Sequence, residues 1–143
     1  MYYSALTPVS DAVYARLQAS PDLVAAAVGG IWDDVPQNPV FPFVNYEVQS
    51  REQRGLGVGS LPEIELRTSV WSEFGGVRGA QEINRLIIAA LRDQPIPIDP
   101  TLYVTCGWTV HDDSIPLPDT ELNGIKVHTL VSIFRIYVEE IQP

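Results

Sequence analysis

His111-Asp112-Asp113 sets an imidazole beside two carboxylates, residue types that hold divalent metals and carry acid–base chemistry. A metal needs ligands that converge from separate positions, whereas three adjacent residues at a strand end seldom aim at one ion, and the only other histidine, His128, lies inside the last apolar run. The triplet reads as a solvated turn. Cys106, the single cysteine, falls in the apolar register of its strand with no evident base, which describes a small buried thiol better than a nucleophile. No serine stands in a Gly-x-Ser-x-Gly elbow, and the two histidines have no triad spacing. Gly55-Leu56-Gly57-Val58-Gly59 has the glycine density of a phosphate loop. It lies between two strands, though, and lacks the lysine of a P-loop, so it reads as a flexible hairpin tip. Gly75-Gly76 with Arg78 could hold an anion at a helix start, but a flexible helix entry explains them better. Trp32, Trp71 and Trp108 sit in or beside strands, where they suit packing or an interface. This inventory contains no catalytic, cofactor or metal residues and points away from an enzyme.

The positioning elements centre on residues 75–94, GGVRGAQEINRLIIAALRDQ. Val77, Ala80, Ile83, Leu86, Ile87, Ala90 and Leu91 make one apolar helical stripe, while Gln81, Glu82, Asn84, Arg85, Arg92 and Asp93 are expected to face water. Pro95 and Pro97 stop the helix. Upstream, Pro8 to Ala19 predicts a helix carried by Val9, Val13 and Leu17, and Ser20-Pro21-Asp22 predicts a capped restart that Gly29-Gly30 closes. A brief strand follows at Ile31 to Val35, and a better one at Phe43 to Gln49. After the connection Arg51 to Ser60, a strand carries Ile64, Leu66, Thr68 and Val70 on one face and ends at Trp71. Beyond the helix, a proline-rich turn leads to a half-buried strand, Leu102 to Val110, and an acidic loop through Asp112, Asp113, Asp119 and Glu121. Asn123-Gly124 turns into the longest strand, Ile125 to Glu139, apolar on both faces: Leu130, Phe134, Ile136 and Val138 on one, Val127, Val131 and Ile133 on the other. The expected fold is α+β. It is an antiparallel or mixed sheet of four to five strands, with one long amphipathic helix across one face and the short N-terminal helices at an edge or on that same face.

The 143 residues fit a single domain, and at such a length roughly 68–70% of the unfolded surface is buried. Eighteen acidic against nine basic residues give a net charge of −9, which argues against a free-standing nucleic-acid binder. One cysteine allows no internal disulfide, no apolar run approaches the length of a membrane span, and MYYSALTPVSD lacks signal-peptide character, so cytoplasmic synthesis is expected.

Several stretches in order, LQASPDLVAAAVGGIWDDVPQN, PFVNYEV, ELRTSVWSEFGGVRGAQEINRLIIAAL and VHTLVSIFRIYVEE, resemble the tail completion (tail terminator) family of tailed bacteriophages. The most telling piece is the junction Arg67-Thr68-Ser69-Val70-Trp71-Ser72, followed by Gly79-Ala80 and the amphipathic helix. The resemblance spans most of residues 10 to 140. It implies a structural virion subunit, assembled in the host cytoplasm, that forms a hexameric ring on the head-proximal end of the tail tube, ends tube growth and joins tail to head. Its partners would be further copies of itself, the tail tube protein and the head–tail connector, with genomic DNA only passing through and no membrane involved. The family supplies no catalytic or cofactor residues. A head-closure (connector) subunit and, more remotely, a small-molecule-binding enzyme domain are the alternatives. Within that frame Arg51, Arg54, Leu56 and Val58 are the expected contacts to a neighbour or the tube. Asp112, Asp113, Asp119 and Glu121 are the expected channel lining, since carboxylates let DNA slide without holding it.

Overall fold

The computed structural model describes residues 6–51, 63–73, 77–92, 95–97, 106–122 and 124–137. Three helices, α1 (Leu6–Gln18), α2 (Pro21–Ala26) and α3 (Val77–Leu91), accompany six strands. The strands are β1 (Ile31–Trp32), β2 (Phe43–Arg51), β3 (Glu63–Glu73), β4 (Pro95–Pro97), β5 (Cys106–Leu122) and β6 (Ile125–Tyr137). They form one sheet in the order β1-β2-β3-β6-β5-β4, parallel between β1 and β2 and antiparallel elsewhere. The α+β fold is the one the periodicities predict, with four long strands and two very short ones at the edges.

Alternation divides the sheet. Val44, Tyr46, Ile64, Leu66, Val70, Phe134 and Ile136 point to one side and share a single core with Val9, Val13 and Leu17 of α1, Leu23 of α2, and Ala80, Ile83, Ile87 and Leu91 of α3. All three helices therefore lie on the same face. Each fully buried aliphatic side chain there contributes about 1.5–3 kcal/mol, which explains why α3, with no acidic residue in its first turn and no basic one in its last, is stable where it lies. Helix α2 is short and needs its cap: the Ser20 hydroxyl accepts from Leu23 N–H at 3.4 Å, and Pro21 and Asp22 occupy its first turn. Gly29 is required by a close approach. A Cβ there would lie 1.6 Å from the carbonyl oxygen of Val40, and its own N–H donates to the Pro42 carbonyl at 2.8 Å, tying the chain to the start of β2.

Four details differ from the sequence expectations. The acidic segment is no loop: β5 runs unbroken through Asp112, Asp113, Asp119 and Glu121, with irregularities between His111 and Asp113 and between Leu117 and Thr120. Pro116 and Pro118 are tolerated because β4 pairs with β5 only over Cys106 to Trp108, so farther along β5 is an edge strand among the described residues and a missing N–H costs no ladder bond. The same reasoning lets Pro95–Pro97 form a strand where a turn is expected. Asn84 is buried, and Val77 is exposed, the reverse of the expected assignment. Leu102 to Thr105, Val138 and Glu139 lie outside the described residues, as do Gly75-Gly76 and Asp93-Gln94.

Candidate functional site

Beneath α3 the core carries a polar row. Strand register places Tyr46, Thr68, Ser132 and Ser114 side by side across β2, β3, β6 and β5, and Asn84 reaches down to two of them. The Ser132 hydroxyl donates to Asn84 Oδ1 at 2.5 Å, Asn84 Nδ2 donates to Ser114 Oγ at 3.2 Å, and the two serine hydroxyls are 2.8 Å apart. His111 completes the chain with Nε2 3.0 Å from Ser114 Oγ, its ring 5.1 Å from that of Phe134. His111 is thus half-buried and engaged, not part of a solvated turn. Because a buried polar group without partners costs about 1–3 kcal/mol, this network fixes one register of β5 against β6 and α3. The signal was in the sequence: Asn84 lies four residues after Ala80 and three before Ile87, squarely in the apolar stripe.

The acidic candidates do not converge. Asp113 pairs with Ile133 and so shares the face away from the helices, whereas Glu121 pairs with Lys126 on the helix side. Asp119 engages His128 Nδ1, and a small cleft of about 120 Å³ opens beside that pair, bounded by Val77, Gln81 and Leu117. Asp113, Asp119 and Glu121 are exposed. Asp112 sits at the first irregularity of β5. Arg51 ends β2 opposite Glu63, while Arg54, Leu56 and Val58 lie outside the described residues. Among the described residues no three His, Cys, Asp or Glu side chains are placed to share a metal ion, and no helix is long and apolar enough to cross a membrane.

Two surfaces stand out at opposite sides of the sheet. On the β5–β6 hairpin, Ile115 and Ile125 are exposed on the face away from the helices, and Leu117, which also borders the cleft beside α3, is exposed next to them. That face is partly covered, as its apolar pattern predicts: Phe43 stacks on Trp71 at 5.9 Å, and Val127 and Val131 are buried. At the β1 side, Asp11, Tyr14, Gln18, Trp32, Asp33 and Tyr46 line an open groove of about 430 Å³. Trp32 is held there by its Nε1–H, which donates to the Gly29 carbonyl at 2.7 Å, and Asn45 Nδ2 donates to the carbonyls of Trp32 and Asp33 at 3.2 and 3.3 Å. The Tyr14 and Tyr46 rings are 6.2 Å apart. Burial pushes the Tyr46 hydroxyl above its ordinary value, with the nearby Asp33 carboxylate adding to the shift. Sequence reading missed this groove because residues 14, 32 and 46 meet only through tertiary packing.

A protein-family model, described as Tail completion protein gp17, matches residues 11–138. The chain belongs to the tail completion protein gp17 family. It is accordingly a structural, non-enzymatic tail component of a phage-like virion. Among solved structures, a chain from the virion of a native gene transfer agent particle is similar in fold: 19% identity, a TM-score of 0.72, covering 97% of this chain and 99% of that one. A second solved protein, 13% identical, superposes with a TM-score of 0.57 over 94% of this chain and 97% of its own. At such identities the likeness concerns the fold. Comparison with curated proteins finds no match.

Proposed function

We propose that the chain is one subunit of a homo-oligomeric ring, with six copies, that caps the head-proximal end of the tail tube, ends tube polymerisation and forms the joint to the head. The observation that carries this reading is the family match over residues 11–138. Exposed apolar side chains on two different edges of the sheet support it, because a closed ring needs unlike, complementary patches on each subunit. In this reading the tail tube protein meets one side of the ring and the head–tail connector the other. Arg51, Arg54, Leu56 and Val58 contact a neighbour or the tube, combining charged and apolar groups with glycines that adapt on docking. The outer part of β5, which carries Asp112, Asp113, Asp119 and Glu121 on its two faces, borders the DNA path. Phosphate affinity comes chiefly from Lys and Arg, so an acidic wall lets the genome slide.

The test is a reconstruction of the neck of assembled particles. A closed ring of six copies between tube and connector is expected. A single copy per tail, or a position away from the tube end, would sink the proposal.

A further inference from the structure

Large apolar side chains are exposed at two places on this subunit, and strand register puts those places on one line. Among the described residues, Tyr14, Val28, Trp32 and Val40 gather around β1, and Val77, Ile115, Leu117 and Ile125 around the β5–β6 hairpin; only Val24 of α2 stands outside both groups. The first group meets at Gly29, whose carbonyl holds Trp32 Nε1–H and which leaves no room for a Cβ beside the Val40 carbonyl. In the second, Val77 and Leu117 bound the cleft beside α3, and Ile115 and Ile125 lie along the adjoining strands. Across the ladders Trp32 pairs with Asn45, Asn45 with Ser69, Ser69 with Val131 and Val131 with Ile115. Trp32 and Ile115 therefore end one transverse row at opposite sides of the sheet, where neither β1 nor this part of β5 has a further strand among the described residues. Neither edge suits extension by another strand: β1 has two residues, and Pro116 and Pro118 on either side of Leu117 have no N–H to donate. Side chains must make any contact there. Trp32 is prepared for one, since its ring lies over Gly30, where a Cβ would come within 2.8 Å of Nε1, and the bond to Gly29 already fixes it.

Resting on the ring reading above, we infer that the β1 side of one copy packs against the outer β5 edge of the next, Trp32 and Val40 against Ile115 and Leu117. A second copy is the occupant because every subunit carries both patches once, at the two ends of one row. A contact between those ends keeps successive copies level, and a level contact repeated closes on itself where a stepped one climbs into a helix. The area is sufficient. A stable contact takes about 800 Å² from each partner, about a tenth of the 8548 Å² that this subunit exposes. Tyr14 and Trp32, 42% and 38% exposed, offer about 150 Å² of that, from rings of about 150–250 Å² each, and Val28 and Val40, 70% and 60% exposed, add to it. Carboxylates border both patches, Asp33 and Asp34 beside Trp32 and Asp113 near Ile115, so apolar burial and not charge pairing holds the contact.

The experiment uses the full chain with Cys106→Ser, adds Val40→Cys and Leu117→Cys together or singly, and treats assembled particles with a short bis-maleimide. The pair is expected to give a ladder of covalent multimers ending at the ring size, with peptides containing positions 40 and 117 joined in mass spectra; neither single variant should give it. Linking by a single variant would mean a two-fold contact and would overturn the inference. A ring visible in the neck with no 40–117 link would also overturn it while leaving the capping role standing, and a neck without a ring would overturn both. A second measurement needs no cysteine. Trp32→Ala and Ile115→Asp change exposed side chains and should leave the melting temperature in place, yet each should require at least about tenfold more protein to join heads to tails made without this subunit, the scale of one lost apolar anchor. Ile115→Leu and Val24→Asp, the latter exposed but outside both patches, should join normally. Normal joining by Trp32→Ala and Ile115→Asp, or an equal loss from Val24→Asp, would overturn the contact.

Discussion

Replacing Asn84 by alanine tests whether the polar row under α3 holds the hairpin in place. The substitution removes the hydrogen bond that Asn84 accepts from Ser132 at 2.5 Å and the one it donates to Ser114 at 3.2 Å. At about 1 kcal/mol net for each bond, with part of the desolvation cost offset because the serine hydroxyls keep each other as partners at 2.8 Å, the loss is about 2–3 kcal/mol. Ser132→Ala removes a bond to Asn84 and one to Ser114, a cost of about 1–2 kcal/mol. The two substitutions share one bond, so the double variant should be more stable than the sum of the singles implies by about 1 kcal/mol. Urea denaturation of the purified full chain gives all three values, and thermal melts should fall by about 3 °C per kcal/mol at this chain length. Hydrogen exchange adds the spatial reading: amides of β5 around Asp113 to Ser114 should lose protection more than those of β2, which do not bond to Asn84. Single losses below about 0.5 kcal/mol, or additivity within about that margin, would refute the claim that these groups act as one network.

Replacing Asp112, Asp113, Asp119 and Glu121 together by lysine should leave tail joining intact but slow genome ejection, because four added cations per copy create phosphate contacts along the path; normal ejection from normally assembled particles would show that these residues do not face DNA. Alkaline pH should destabilise the chain through Tyr46. Its folded-state value is raised above 10.0, mainly by burial and then by Asp33, so its contribution is fully present below pH 10.0 and is lost as pH climbs through the raised value. Urea midpoints of Tyr46→Phe should therefore fall less steeply than those of the unsubstituted chain above that pH, and parallel curves would contradict this assignment.

Much of the architecture was legible because it rests on periodicity. The stripe of α3, the two-sided apolarity of β6 and the cap at Ser20 each announce themselves within a few residues. What failed depends on neighbours. Pro116 and Pro118 look like loop residues until the sheet order shows that, among the described residues, β5 has an open edge beside them. Asn84 looks like a solvent residue until Ser132 and Ser114 supply partners that lie 48 and 30 positions away in the chain. His111 looks like a turn residue for the same reason. The Tyr14–Trp32–Tyr46 groove had no sequence signal at all, since three segments contribute one aromatic residue each.

The buried core and the exposed apolar surface of the hairpin occupy different parts of the chain, and β5 is where they meet. The buried apolar mass lies between the helices and one sheet face, while the exposed apolar side chains of the hairpin lie on the other. Substitutions far apart on these two surfaces should act independently. Ser114 and Ile115 are adjacent in β5, however: Ser114 joins the network under α3, and Ile115 is exposed on the opposite face. On the ring reading, any docking that fixed Ile115 would also restrict Ser114, because the two share a peptide group. Ring closure would then steady the α3 network, and a network weakened at Asn84 would in turn raise the ordering cost of docking. The Asn84→Ala chain should for that reason assemble less well than an equally destabilised variant whose change lies far from β5, such as Leu23→Ala in α2.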